Sequence, residues 1–135
     1  MNIVTAQNER PESRLALDWI LANGPQLAGD PTELTVHVVL AAGTDSPASP
    51  NYSSFGLGRS IADELEEHNI THTVYPAGSD AAVQILDTAH TVSADLVVIG
   101  MRRRSATMKL LLGSQVQRVM LDAPCPVVTV KTSPD

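Results

Sequence analysis

The sequence predicts an α/β domain: a parallel sheet with helices on both faces. Three observations carry this. Short apolar runs alternate with amphipathic stretches in the order βαβαβαβαβ, and such alternation joins parallel strands by helical crossovers. The run Leu34 to Ala41 is almost continuously apolar, as in a strand buried on both faces. Hydrophobic residues make up 43% of the 135 and aromatics only 3%, so the core is built from Val, Leu, Ile and Ala. This length suits one domain over residues 1–135, and the sequence shows no internal repeat.

The elements follow in order. Asn2 to Ala6 reads as a first strand. Pro11 stands where the first turn of a helix tolerates it, and Glu12 suits the positive end of the helix dipole. Leu15, Ala16, Trp19, Ile20 and Asn23 recur at helical spacing, so residues 11–23 read as an amphipathic helix that Gly24-Pro25 ends. Trp19 reads as a core anchor. Leu34 to Ala41 is the second strand; its His37 reads as a packed or edge histidine, because no second ligand stands at metal spacing. Gly43 to Gly56, with Ser-rich turns and Pro47 and Pro50, reads as a loop, either a lid or partner-binding segment or a plain surface connection. Leu57, Ile61, Ala62 and Leu65 form a helical stripe, with Glu64, Glu66 and Glu67 on its wet side. Ile70 to Tyr75 alternates as a third strand, and Pro76 to Ser79 turns the chain. Ser79 or Asp80 can cap a helix running through Ala89, with Val83, Ile85, Leu86 and Ala89 inward. Leu96 to Ile99 is a fourth strand, Ser114 to Leu121 a last helix, and Val127 to Val130 a final strand.

Charge narrows the function classes. The formal net charge is −6, which argues against a general nucleic-acid or membrane surface. The scarcity of aromatics removes the stacking platforms that single-stranded nucleic acid needs. Yet between Asp95 and Asp122 there is no acidic residue, and Arg102, Arg103, Arg104, Lys109 and Arg118 all fall there. A single cysteine, Cys125, leaves no internal disulfide and fits a cytoplasmic location. No stretch reaches the length of a membrane-spanning helix, and MNIVTAQNER lacks the pattern of a signal peptide.

That basic stretch, LVVIGMRRRSATMKLLLGS, holds the sharpest chemistry. Gly100 ends the fourth strand; it lets the chain turn with positive φ or lets a ligand approach the backbone. Gly113-Ser114 opens a helix whose free N–H groups and dipole suit an anion. Ser114 can cap that helix or bond a phosphate oxygen, and the arginines can supply charge. The plainer reading is a glycine-broken turn, an ordinary serine cap and solvated arginines. On the residues alone the two readings stand level. In a doubly wound sheet of order 3-2-1-4-5, ligands sit where the order reverses, between the loops Gln7 to Arg10 and Gly100 to Gly113.

Gly100-x-x-Arg103-x9-Gly113-Ser114 resembles the G-x-x-G-x9-G-S/T nucleotide motif of universal stress proteins. PESRLALDW and LLLGSQVQRVMLDAPCPVVTVK are similar to that family's first helix and C-terminal region, in order along nearly the whole chain. The resemblance implies a five-stranded α/β fold of the adenine nucleotide alpha hydrolase-like type, strand order 3-2-1-4-5. It implies a homodimer pairing through Val127, Val128, Thr129 and Val130. It also implies an ATP or other adenine-nucleotide site: Asn8 and the backbone of the second strand at Val38 on the adenine side, and Gly100, Arg102, Arg103, Gly113, Ser114, Gln115 and Val116 toward ribose and phosphates. Two departures weaken that site. Asn8 stands for the family's Asp and brings no charge, with Glu9 and Arg10 replacing small residues beside it. Arg103 stands for the motif's second glycine, costing space and backbone freedom, although an arginine whose side chain swings outward is a good phosphate partner. Ala106 is a milder change.

The expected function is therefore a stress-response binding protein, a homodimer with a weakened adenine-nucleotide site and a protein partner that the sequence does not identify. The alternatives are a ligand-free scaffold dimer and an ATP hydrolase. The hydrolase is poorly supported: the loop offers no carboxylate for Mg²⁺, and there is no G-x-x-x-x-G-K-[ST] loop. Asp80 reads as a helix cap, and no metal site or catalytic residue is expected. Cys125, between Pro124 and Pro126, reads as a small buried spacer.

Overall fold

A computed structural model describes residues 1–41, 50–78, 80–102 and 113–132, with the main chain alone for 50–55. Five strands form one parallel sheet: β1 (Asn2–Gln7), β2 (Thr35–Ala41), β3 (Thr71–Gly78), β4 (Leu96–Met101) and β5 (Val127–Lys131), in the order β3-β2-β1-β4-β5. Four helices connect them: α1 (Pro11–Ala28), α2 (Pro50–Glu67), α3 (Ala81–Thr91) and α4 (Ser114–Asp122). The expected fold class and strand order are both present.

The two sheet faces carry two separate cores. Beneath α1 and α2 lie Ile3, Leu17, Ile20, Val36, Val38, Leu65 and Val98, all fully buried. Beneath α3 and α4 lie Val4, Val39, Ala82, Ala89 and Val97, with Val119 from α4. Successive strand residues point to opposite faces, so an apolar run such as Val36–Leu40 feeds both layers at once. Each fully buried Leu, Ile or Val contributes about 1.5–3 kcal/mol. Helices α1 and α2 are also joined at the surface, where Arg14 holds both carboxylate oxygens of Glu64, at 2.6 and 2.5 Å. That pair draws Glu64 below the usual carboxylate range.

Four expected boundaries move. Helix α1 does not stop at Gly24-Pro25 but continues to Ala28. Gly24 is buried, and a Cβ there would stand 3.0 Å from Leu34 Cδ2. A residue without Cβ before proline escapes much of the clash that drives pre-proline residues out of helical geometry, so this pair bends to the core. The helix ends instead at Gly29, whose φ of 78° places it in the left-handed region. The buried stripe also shifts: Ser13, Ala16, Leu17, Ile20 and Gly24 face inward, while Trp19 packs part-buried at its margin. Strand β3 runs through Pro76 to Gly78, because an edge strand tolerates a missing N–H, and its pairing with β2 slips between Val39 and Ala41. Helix α2 starts at Pro50, so the second half of the expected loop is helical; proline suits a first helical position, whose N–H has no partner anyway. Residues 42–49 lie outside the described residues.

The fourth correction is at the motif itself. Gly100 does not break β4. It pairs with Val130 inside the ladder, and the strand continues to Met101.

Candidate functional site

The strand order reverses between β1 and β4, which are paired neighbours. Their carboxyl ends therefore form the crevice where open α/β sheets bind ligands. From β1 the chain enters the turn Asn8–Arg10. From β4 it leaves through Met101 and the exposed Arg102. Arg103, Arg104, Ala106 and Lys109 lie outside the described residues. The chain returns at Gly113, which stands at the N-cap of α4.

Helices α3 and α4 lie side by side, and their first turns are linked. Gln115 Oε1 accepts from Ala82 N–H at 2.9 Å, and Arg118 lies 3.2 Å from Asp80 Oδ2. Helix α3 starts after the carboxyl end of β3, so both N-termini sit at the ligand edge of the sheet. They differ in one respect. On α3, Asp80 accepts from Val83 N–H at 3.2 Å and Gln115 takes Ala82 N–H, so two of its leading donors are satisfied. On α4 no side chain among the described residues caps the helix. Its leading N–H groups carry the positive end of the dipole. Gly113 has φ −61° and ψ 146°, which any residue adopts, and among the described residues a Cβ there would meet nothing within 4 Å. Neither backbone strain nor packing against the described residues requires glycine at 113.

Several expected site residues have other occupations. Ser114 is the first helical residue and does not cap α4; the N-cap is Gly113. Gln115 is a strut to α3. Val116 is half-buried against the α3-side core. Val38 is fully buried in the interior of β2, its register flanked by Thr5 and Val74 on either side. Asn8 is part of a local turn: its Oδ1 accepts from Arg10 N–H at 2.8 Å.

A polar cluster beneath α1 was not visible in the sequence pattern. Gln7, 2% exposed, donates from Nε2 to Ser13 O at 2.7 Å and to Thr5 Oγ1 at 3.3 Å. Ser13 Oγ lies 2.9 Å from the carbonyl oxygens of both Asn8 and Arg10, and it accepts from Asn8 N–H at 3.3 Å. An alternating strand pattern would have marked Gln7 as a departure, but not its partners. Gly100 belongs to the same neighbourhood. Its φ is not positive, and a Cβ built on it would fall on the carbonyl of Glu12, with Ser13 N at 3.1 Å.

The remaining candidates are settled by packing. His37 lies between Tyr75 OH, 3.1 Å from Nδ1, and Asn2 Oδ1, 3.0 Å from Nε2. An amide oxygen can only accept, so Nε2 carries the proton and Nδ1 receives the tyrosine hydroxyl. Burial pushes its pKa down, favouring this neutral form. Burial, with Asp95 nearby, pushes the Cys125 thiol up, away from thiolate reactivity. Among the described residues no group of His, Cys, Asp and Glu could hold a metal ion, and no helix is long and apolar enough to cross a membrane. Strand β5 forms one edge of the sheet. Its Val128 and Val130 pack toward α1 and Val127 toward α3, so its outer main-chain edge is what remains to pair.

The profile of the universal stress protein family matches residues 1–131. The chain is 33% identical over 95 residues to a universal stress protein of Mycolicibacterium smegmatis, an overlap of 70% of this chain and 73% of that one. Its fold is similar to that of a universal stress protein family protein from Arabidopsis thaliana with AMP bound, at a TM-score of 0.73 and 17% identity, over 100% and 94% of the two chains. It is also similar to the universal stress protein from Archaeoglobus fulgidus in complex with dAMP, at a TM-score of 0.66 and 20% identity, over 97% and 98%. With the profile spanning the chain from β1 through β5, and the strand order in agreement, the chain belongs to the universal stress protein family.

Proposed function

We propose that this chain is a stress-response binding protein that takes the phosphate of an adenine nucleotide on the N-terminus of α4. The observation that carries the reading is the contrast between two adjacent helix starts. Helix α3 has its Val83 and Ala82 N–H groups occupied by Asp80 and Gln115, whereas among the described residues α4 has no side-chain cap and opens on a glycine that neither its backbone angles nor the described packing explains. Two structures of similar fold hold AMP and dAMP, which makes an adenine nucleotide the ligand to test first.

Binding is weak in this proposal. Asn8 brings no charge to the adenine side, and its side-chain oxygen is already engaged by Arg10 N–H. The protein binds its nucleotide without turning it over, since residues 96–121 contain no carboxylate to hold Mg²⁺. It works in the cytoplasm as a homodimer through β5, whose unpaired outer main-chain edge would otherwise invite unwanted pairing.

Calorimetric titration with ATP, ADP, AMP and cyclic nucleotides tests the reading. Saturable binding at millimolar or lower concentration is expected. If all four fail at millimolar levels, the nucleotide reading is lost and a ligand-free scaffold dimer takes its place. ATP turnover above that of a Ser114→Ala variant would make the protein an enzyme. Sedimentation analysis tests the β5 contact: a dimer at micromolar concentration is expected, and a monomer would remove it.

A further inference from the structure

We infer that Gly100 is a positioning residue: its missing side chain seats the first turn of α1 on the end of β4, and so fixes the Asn8–Arg10 turn that walls the crevice. The inference rests on the crevice being the ligand site.

The two ordinary reasons for a glycine here do not apply. The backbone at 100 has no positive φ, and the residue lies in regular register opposite Val130. The direction of its absent Cβ is taken instead by the main chain of Glu12, with Ser13 N at 3.1 Å. Main-chain atoms inside a helix cannot rotate aside as a side chain would, so any larger residue must displace the helix start. That same turn carries Ser13. Its carbonyl holds Gln7 Nε2, and its hydroxyl meets the carbonyls of Asn8 and Arg10 and the N–H of Asn8. The ends of β1 and β4 and the start of α1 thus form one unit, with Gly100 on one side and Gln7 beneath it. A side chain at 100 would push on Glu12–Ser13, and the strain would reach Asn8 through these hydrogen bonds.

Amide hydrogen exchange followed by NMR, with an AMP titration on the same samples, tests this in Gly100→Ala and Gln7→Val. In Gly100→Ala the amides of Asn8, Arg10 and Ser13 should exchange at least tenfold faster, while those of Ala82 and Val83 on α3 stay unchanged. AMP affinity should fall at least tenfold in Gly100→Ala, and it should fall also in Gln7→Val, whose altered side chain is buried against Ser13 and Thr5. Loss of AMP binding in Gly100→Ala with unchanged exchange at the three amides would overturn the inference and return Gly100 to a direct ligand role. If Gly100→Ala does not fold, Gln7→Val decides alone: faster exchange at those amides with undiminished AMP affinity would sink it. If the wild-type protein binds no AMP, the proposed function fails, and the exchange comparison still reads whether Gly100 seats α1.

Discussion

Replacing Gly113 with aspartate separates helix stability from ligand binding, because it should move them in opposite directions. The backbone at 113 has φ −61° and ψ 146°, which any residue adopts, and a Cβ there meets none of the described residues within 4 Å. An aspartate at this N-cap can accept from the first free N–H groups of α4, gaining a few tenths of a kcal/mol over glycine. Its charge meets the positive end of the dipole for roughly another 0.3–1 kcal/mol. Stability should therefore rise by about 0.5–1 kcal/mol, read from the midpoint of urea unfolding. A bound phosphate would meet the opposite. At roughly 5 Å, each unit of like charge costs about 0.8 kcal/mol at the dielectric of water and about 3 kcal/mol at an effective value of 20. The carboxylate also takes the donors the phosphate would use. Nucleotide affinity should fall between about tenfold and a hundredfold, at roughly 1.4 kcal/mol per decade. The assay is calorimetry with AMP and ATP beside the unfolding curve. Undiminished affinity would mean that no anion sits at this helix start. A loss of stability would mean that Gly113 does not occupy the N-cap.

Three other outcomes are expected, two from the structure and one from the sequence motif. Asp80→Ala should cost about 1–2 kcal/mol in chemical denaturation, most of it the cap to Val83 N–H, since an exposed pair such as Asp80–Arg118 is worth at most about 1 kcal/mol; Asp80→Asn, which keeps the acceptor, should lose far less, and an equal loss would show that the charge pair dominates. His37 is held neutral by burial, so its folded pKa lies below the unfolded value of about 6.5; its contribution is fully present above that pH and is lost as pH falls through the folded pKa, so His37→Gln should flatten the stability profile below about pH 6.5, and an unchanged profile would contradict the assignment. Arg103→Gly should raise ATP affinity in a binding titration by restoring the motif's second glycine; unchanged or weaker binding would remove the steric argument at that position.

The chain also shows how far residue types and spacing reach before packing takes over. The alternation of apolar runs and amphipathic stretches determined the α/β class and, with the family resemblance, the strand order. The cap was legible to within one residue, Ser79 or Asp80, because an N-cap is a local device, and the structure places it at Asp80. The edges of elements were less legible where a local breaker met a core that needed it. Gly24-Pro25 has the form of a helix end, but the core beside Leu34 and Ile3 requires the space glycine leaves, and the helix runs on to Gly29. Pro76 has the form of a turn, but an edge strand can spare its N–H.

The site divided along the same line. The sequence alone determined that a basic stretch opens a helix at Gly113-Ser114, and that this stretch follows a buried strand. Those are properties of neighbours in the chain. Only the tertiary structure decided what the individual residues do there, because each answer depends on a partner far along the chain or on another element. Gln115 is tied to Ala82, so it braces α3 rather than standing free. Gln7 reaches under α1 to Ser13, and Gly100 yields its side-chain space to Glu12. A glycine looks the same in sequence whether a ligand, a turn or a helix requires it. The difference lies in what its missing Cβ would have touched.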